Sequence, residues 1–132
     1  MREIKFRGKR LDNGEWLYGS LLVSHFKDDK KERYFITQFS GNYTFEHEVD
    51  PATVGQFTGL KDNNGRDIWE GDIISDGRQF NVKWDSRDAC WTGEMHNDLQ
   101  QRLDLAFLIT HKQTRIIGNI HEIRNYLKLN KP

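Results

Sequence analysis

The pair Asn64-Gly65, which lies between two apolar runs, constrains the fold of this chain more than any other feature. Asn tolerates positive φ and Gly adopts it freely, so the pair suits the type I′ turn of a β-hairpin. Asn13-Gly14 and Asp76-Gly77 repeat the signal, each between runs of β-branched or aromatic residues. These pairs predict three hairpins and therefore a β protein at its centre.

The composition is that of a folded chain. Of 132 residues, 36% are apolar, 12% are aromatic and 30% are charged, which argues against disorder. The length suits one domain or two small subdomains that share a core. The longest apolar run, residues 105–109, is too short to span a bilayer, and no secretory signal is predicted. The single cysteine, Cys90, excludes an internal disulfide, so we expect a reducing cytoplasm.

The charges balance, with 20 basic and 20 acidic side chains and a net charge of zero. This balance argues against nonspecific binding of a polyanion by the whole surface, although it leaves room for a local basic patch. It also lowers the repulsion between copies of the chain, which permits self-association.

The first half of the chain predicts four strands, at residues 4–10, 16–26, 34–39 and 43–49. Residues 4–10 alternate apolar and basic side chains, so the first strand would have one apolar and one basic face. The second and third strands pair across the charged loop 27–32. The fourth ends at Asp50-Pro51, because proline biases the residue before it to an extended or turn geometry.

In the second half, Ile68-Trp69 leads into Gly71-Asp72-Ile73-Ile74, where a Gly-Asp turn precedes an aliphatic strand, and another strand is predicted at residues 80–84. Phe80, Val82 and Trp84 alternate with polar residues, so we expect all three on one buried face. For residues 85–102 we favour a loop or a short helix.

The last part of the chain has two alternative interpretations. Leu99, Leu103 and Phe107 have helical spacing, whereas residues 105–109 equally suit a buried strand. We favour the strand, with residues 114–120 as its partner. A short C-terminal helix is expected to follow, with its apolar stripe at Ile120, Ile123 and Leu127.

The run TVGQFTGLKDNNGRDIWEGDII, residues 53–74, resembles the signature of the YopX-like family, small proteins found mainly in bacteriophages and prophages of bacteria. After the Ile-Gly-Asn-Ile element, members of that family tend to have an aromatic residue and an Asn-Pro-Glu segment, where this chain has HEIRNY at residues 121–126. Three further segments match the family: Lys5-Phe6-Arg7, Trp16-Leu17-Tyr18-Gly19 and Ile116-Ile117-Gly118-Asn119-Ile120.

The resemblance implies a β-rich fold with a small barrel of the Src-homology-3 type, trimeric assembly and phage-related biology. It implies no activity that carries over to named residues. We therefore expect a mainly β protein in which an N-terminal β subdomain, residues 1–60, packs on a small Src-homology-3-like barrel subdomain, residues 61–132. The short C-terminal helix completes the second subdomain.

Catalytic and metal-binding patterns fail on spacing. Counted from Asp62 as in a calcium loop, the glycine comes too early and Ile73 occupies the place of the bidentate carboxylate. Cys90 and His96 lack an orienting third group. The five histidines contain no H-x-x-x-H pair, and neither C-x-x-C nor a phosphate-loop motif occurs. The sequence predicts no catalytic residue, no metal and no cofactor.

The basic strand face is the best candidate for binding nucleic acid. Lys5, Arg7 and Lys9, with Arg10 beside them, would lie about 7 Å apart and could follow a phosphate backbone. The alternative is that lysines protect an exposed edge strand from pairing with another chain. Trp91, in a polar stretch, is expected at the surface, where a base could stack on it.

Trp84, in contrast, is expected in the core, in line with its neighbours on the same strand face. Asp72 is expected to accept backbone N–H groups at a turn rather than to bind a ligand.

Three functional hypotheses follow. The first is a phage- or prophage-type accessory protein of unknown biochemical activity in the bacterial cytoplasm, which acts by binding or self-assembly as a homo-oligomer. The second is a nucleic-acid-binding module that uses the basic strand face. The third is an enzyme built on Asp62, Asp67 and Asp72, which we disfavour because no nucleophile, base and orienting group occur together. No membrane partner or small-molecule substrate is predicted.

Overall fold

The computed structural model describes residues 3–28, 30–95 and 101–122. The protein is mainly β, with 58% of the described residues in strands of antiparallel sheets and with a short helix, so the predicted fold class is confirmed at this level. The chain divides into two compact units, residues 1–57 and 58–132.

The N-terminal unit is a curled antiparallel sheet with the strand order β4-β3-β2-β1-β5. Its elements are β1 (Phe6–Lys9), β2 (Trp16–His25), β3 (Glu32–Ser40), β4 (Tyr43–Val49), a 3₁₀ turn (Pro51–Thr53) and the first residues of β5 (Gly55–Lys61).

The strand β2 changes neighbours in its middle. It pairs with β1 up to Gly19 and with β3 from Ser20 onward. A Cβ atom at Gly19 would lie 2.2 Å from the carbonyl oxygen of Thr37, so a residue without a side chain allows β3 to approach there.

The first and fourth strands of this unit meet at one end. Arg10 forms an isolated antiparallel bridge with Val49, and the Asp50 N–H donates to the Lys9 carbonyl at 2.8 Å. The curled sheet encloses a small core of Leu17, Ile36 and Val49. Partly buried apolar side chains pack around that core: Phe6, Leu21, Tyr34 and Val54.

The C-terminal unit begins with a hairpin of the end of β5 with β6 and continues as a five-stranded antiparallel sheet in the order β10-β9-β8-β7-β11. Its elements are β6 (Asp67–Trp69), β7 (Asp72–Ser75), β8 (Gln79–Asp85), β9 (Cys90–Met95), β10 (Arg102–Asp104), α1 (Leu105–His111) and β11 (Arg115–Asn119). The buried cluster of this unit is Ile68, Ile74, Phe80, Val82, Trp91, Leu105 and Leu108.

All three predicted turns connect paired strands, but the predicted turn type is wrong. A type I′ turn needs positive φ at both central residues. At the central hairpin only Gly65 has positive φ, +78°, and its N–H donates to the Asp62 carbonyl at 3.0 Å. Residues 62–65 therefore form a four-residue turn in which neither central residue, Asn63 or Asn64, has positive φ. Gly65, the last residue of the turn, takes the left-handed conformation. Gly14 and Gly77 also take positive φ, +73° and +106°.

The strand predicted at residues 105–109 is wrong, because these residues belong to the helix α1. The Asp104 carboxylate caps the helix by accepting the Phe107 N–H at 3.0 Å. Leu105 and Leu108 are buried at the three-residue spacing of one helix face. Leucine and alanine favour a helix intrinsically, and the cap adds to that preference.

The predicted partners in this region are wrong as well. Within residues 85–102, where we favoured a loop or a helix, the chain forms β9 and enters β10. β11 pairs with β7 rather than with residues 105–109. Residues 120–122 are helical where the C-terminal helix was predicted to begin, and the rest of that predicted helix lies outside the described residues.

Gly93 sets how closely α1 packs on β9. A Cβ atom at this position would lie 2.7 Å from Leu108 Cδ1 and 3.0 Å from Phe80 Cβ. We expect Gly93→Ala to destabilise the protein by about 1–3 kcal/mol, because a filled core must shift to admit a methyl group. Urea unfolding measures the change in free energy.

A double-mutant cycle with Leu108→Ala separates this clash from a general loss of stability. Leu108→Ala removes Cδ1, the atom closest to the new methyl group, so Gly93→Ala should cost less stability in that background. An equal cost in both backgrounds would show that the packing of α1 does not determine the residue at this position.

Candidate functional site

Each cation of the predicted basic face lies over an aromatic ring. Lys5 Nζ is 4.6 Å from the centre of the Phe57 ring. The Arg7 guanidinium carbon is 4.7 Å, and Lys9 Nζ 5.3 Å, from the centre of the Trp16 ring. These are cation–π distances, so the strand face is a row of cations interleaved with aromatic rings.

Burial does not follow the predicted alternation of apolar and basic residues in the first strand. Arg7 is buried at 6% exposure, whereas Ile4 is 65% exposed. The rings of Trp16 and Phe57 cover the side of the sheet on which the cations lie. Arg10 is bound elsewhere, in a 2.7 Å ion pair with Asp12. The hydrogen bond from Arg10 holds the pKa of the Asp12 carboxyl below its usual value.

The exposure predicted for the two tryptophans is reversed. Trp91 is 8% exposed and belongs to the core of the C-terminal unit, whereas Trp84 is 41% exposed. The two residues are paired across β8 and β9, with ring centres 5.1 Å apart in an edge-to-face contact. Because α1 packs on β9, Trp91 on that strand is covered, whereas Trp84 on β8 lies at the margin of the covered area. Trp91 is therefore not a surface for stacking a base.

A groove of about 570 Å³ lies in the N-terminal unit, between residues 3–5 and the β3–β4 hairpin. The crossing point of β2, residues 18–20, forms part of its lining, with polar groups from β3 beside it. Large apolar side chains around it are well exposed: Ile4 65%, Tyr18 47%, Phe39 72% and Phe45 48%. The groove is not apparent in the sequence, because its walls come from segments far apart in the chain.

Asp62, the first residue of the signature turn, has a structural role. It is buried at 5% exposure, and its carboxylate accepts backbone N–H groups from two segments. Oδ1 accepts from Asn64 at 2.9 Å and from Arg66 at 2.8 Å, while Oδ2 accepts from Ile116 at 2.9 Å. Burial alone raises the pKa of Asp62, but these hydrogen bonds outweigh it and hold the pKa below its usual value.

The other two carboxylates of the enzyme hypothesis also have partners within the fold. Asp72 is 2% exposed and accepts the Trp69 N–H at 2.8 Å, which confirms the structural role predicted for it. Asp67 forms an ion pair with Lys61 at 3.8 Å. All three carboxylates thus stabilise turns and strand ends.

Part of the signature run, residues 62–74, and the matching segment 116–120 meet in the C-terminal unit. β11 pairs with β7, and Asn119 lies opposite Asp72. The Ile120 N–H donates to the Gly71 carbonyl at 2.9 Å. Asn119 Oδ1 accepts the N–H groups of His121 and Glu122 at 3.0 and 3.1 Å, which makes it the cap of the helical residues 120–122. The position of an Asn directly before a helical stripe could have indicated this cap in the sequence.

Cys90 is partly exposed, and the residue proposed beside it, His96, lies outside the described residues. Partial burial raises the pKa of the Cys90 thiol, and the carboxylates of Asp104, Asp85 and Asp88 raise it further. A raised pKa keeps the sulfur protonated and unreactive near neutral pH. Among the residues that the structure describes, no three His, Cys, Asp or Glu side chains group closely enough to hold a metal ion.

Residues 62–74 of the signature run and residues 116–120 are thus joined by hydrogen bonds in the C-terminal unit of a mainly β protein. The model of the YopX protein family matches residues 5–128, and the chain belongs to that family. No curated protein matches the chain. Among solved structures, protein EF1440 from Enterococcus faecalis is similar at 21% identity and a TM-score of 0.43, over 96% of this chain and 99% of that one. In the described ranges, no helix is long and apolar enough to cross a membrane.

The Asp62 carboxylate predicts a pH-dependent stability. We expect Asp62→Asn to lower the free energy of unfolding at neutral pH by about 1.5–3 kcal/mol, because an amide cannot accept all three N–H groups. The pKa of Asp62 is lowered on folding, so its contribution is complete above the unfolded value, about 3.9, and is lost as the pH falls through the folded value. Urea unfolding at about pH 7 and about pH 3 measures both effects.

Asp88→Asn is the matched control, since Asp88 is an exposed carboxylate of the same unit. The difference between the wild type and Asp62→Asn should shrink at the lower pH, whereas Asp88→Asn should have little effect at either pH. If the two variants were equally stable at neutral pH, the structural role of the Asp62 carboxylate would be refuted.

Proposed function

We propose that this protein is a phage- or prophage-type accessory protein of the bacterial cytoplasm, which acts by binding and self-assembly rather than by catalysis. The observation that carries the proposal is the aromatic groove of the N-terminal unit, lined in part by Ile4, Tyr18, Phe39 and Phe45. Membership of the YopX protein family is consistent with it.

The groove favours contact with protein because four large apolar side chains are exposed around it, beside polar groups that carry little net charge. Exposed apolar patches of this kind typically mark interaction surfaces, since an isolated chain gains nothing from exposing them. Glu3 and Lys5, the charged residues of the lining, have opposite signs and form an ion pair at 3.7 Å. The zero net charge of the chain permits close approach of a second copy.

We further propose that the assembly is a homo-oligomer, with the trimer that the family resemblance implies as its first candidate. The same resemblance implies a barrel of the Src-homology-3 type for the C-terminal unit. Its five antiparallel strands around one buried cluster support that assignment.

Loss of one aromatic ring from the groove should weaken the assembly. We expect the wild-type protein to form an oligomer whose mass is insensitive to salt, and Phe39→Gln to raise the concentration at which it dissociates by about tenfold or more. The physical reason is that Phe39, 72% exposed in one chain, would be buried at the contact. Light scattering on a sizing column, at several protein concentrations and two salt levels, measures the mass.

Phe107→Gln is the matched control, because it removes a ring that is 47% exposed on α1, in the other unit. It should leave the dissociation concentration unchanged. A wild-type monomer at every concentration, or an equal effect of both substitutions, would refute self-assembly through the groove.

A second candidate function is the binding of single-stranded nucleic acid by the β1 face. The observation that favours it is the row of Lys5, Arg7 and Lys9 over aromatic rings, with Tyr18 half exposed beside it. Cations that follow a backbone and rings on which bases stack are the two components of such sites.

This candidate predicts a salt-dependent affinity that depends on the two half-buried lysines. Replacement of Lys5 and Lys9 by Gln should flatten the slope of log affinity against log salt by about one for each lost phosphate contact. Anisotropy of a labelled oligothymidylate at low salt measures the affinity. The double replacement Lys61→Gln and Lys83→Gln removes the same charge from the other unit and should have no such effect. Undetectable binding at low salt would exclude this candidate.

A further inference from the structure

Two of the turns in the C-terminal unit border a second cavity. It has a volume of about 290 Å³ and lies beside the turns at residues 62–66 and 75–78. Its lining is polar and includes Asn63, Asn64, Ser75, Asp76, Gln113 and Arg115. Arg115 lies opposite Ser75 in the pairing of β11 with β7, so the floor of the cavity is formed by paired strands.

The signature turn does not require the side chains of Asn63 and Asn64. Neither residue takes positive φ, the conformation for which Asn would be favoured, and Gly65 supplies the left-handed residue. The hydrogen bonds of the turn use the backbone and the Asp62 carboxylate. No hydrogen bond from either side-chain amide is found among the described residues, so both amides are available to a ligand in the cavity.

The cavity is rich in hydrogen-bond donors and carries one unbalanced positive charge. Within the described part of the chain, the Arg115 guanidinium and the Gln113 amide form no hydrogen bond or ion pair. Ser75 Oγ accepts the Gly77 N–H at 3.1 Å, which leaves its own proton for another acceptor. Asp76, the carboxylate of the lining, is bound by Arg78 Nη2 at 2.9 Å and Nε at 3.3 Å. Its charge is therefore balanced, and that of Arg115 is not.

We propose that this cavity binds a phosphate group, with the Arg115 guanidinium as the principal donor. A planar guanidinium presents two parallel N–H groups that match two oxygens of a phosphate. The Asn64 and Gln113 amides and the Ser75 hydroxyl donate from other directions, as a tetrahedral oxyanion requires. The cavity is larger than inorganic phosphate, so it also has room for the group esterified to the phosphate. This site is independent of the proposed assembly groove, which lies in the other unit.

The test is a titration of the ¹⁵N-labelled full chain with sodium phosphate, followed by amide NMR spectra at constant ionic strength set with sodium chloride. We expect saturable shifts of the Asn64 and Gln113 side-chain amides and of the Gly77 backbone amide, in the millimolar range. Arg115→Gln should weaken the apparent Kd by about tenfold or more, because it removes the charged fork. Arg115→Lys should weaken it less, since it keeps the charge.

Arg87→Gln is the matched control. It removes the same charge from the turn at the opposite end of β8, about 20 Å away by the rise of a strand. Its titration should equal that of the wild type. Gln113→Ala, at an exposed loop position, tests the site without changing any charge and should also weaken binding. Shifts that do not saturate, or an equal Kd for the Arg115→Gln and Arg87→Gln variants, would overturn the site.

Thymidine 5′-monophosphate, titrated under the same conditions, distinguishes the source of the phosphate group. Tighter binding than inorganic phosphate, with the same dependence on Arg115, assigns the site to a phosphate ester. Equal affinity assigns it to the free anion. Phe39→Gln should leave both titrations unchanged, so failure of the assembly proposal and failure of the phosphate site give different results.

Discussion

The C-terminal unit depends on one buried carboxylate. Asp62 accepts three backbone N–H groups, two from its own turn and one from Ile116, which lies 54 residues away in the chain. Sheets normally join distant segments through backbone pairing, but here a side chain completes the junction between a hairpin and a strand. Because each oxygen is occupied and the group is withdrawn from water, removal of the charge would leave several buried donors without an acceptor. The turn at residues 62–66, β11 and β7 are therefore held together within the C-terminal unit.

This arrangement accounts for several of the polar residues in the signature of the family. Asp62, Asp72 and Asn119 lie at the ends of strands, and each accepts backbone N–H groups that would otherwise be buried without a partner. Gly71 takes a φ of +90° and accepts the Ile120 N–H at its carbonyl, so the chain reverses there against the start of the last helical residues. These polar residues of the signature thus make strand-end contacts, and our proposals for function rest on residues that those contacts do not use.

The sequence predicts the features that depend on local chemistry. The turn glycines, the strands β2, β3, β4 and β8 and the structural role of Asp72 follow from spacing and turn residues. It does not predict features that depend on a neighbour. Residues 105–109 suit a strand or a helix by pattern alone, and the Asp104 cap with the packing of Leu108 over Gly93 decides for the helix. Trp84 and Trp91 exchange environments because α1 covers only one of them. The burial of Arg7 in the basic face does not follow from its own strand, because the Trp16 ring that lies against it comes from the next strand.

The groove and the cavity proposed for function contain residues whose type the fold itself does not require. Phe39 is 72% exposed in a strand whose other face supplies the core, and a polar residue there would leave the fold unchanged. Arg115 begins a strand whose pairing requires no guanidinium, beside two Asn side chains that their turn does not need. Natural sequences depart from local rules mainly where binding requires it, and on that basis we propose these two surfaces as binding sites.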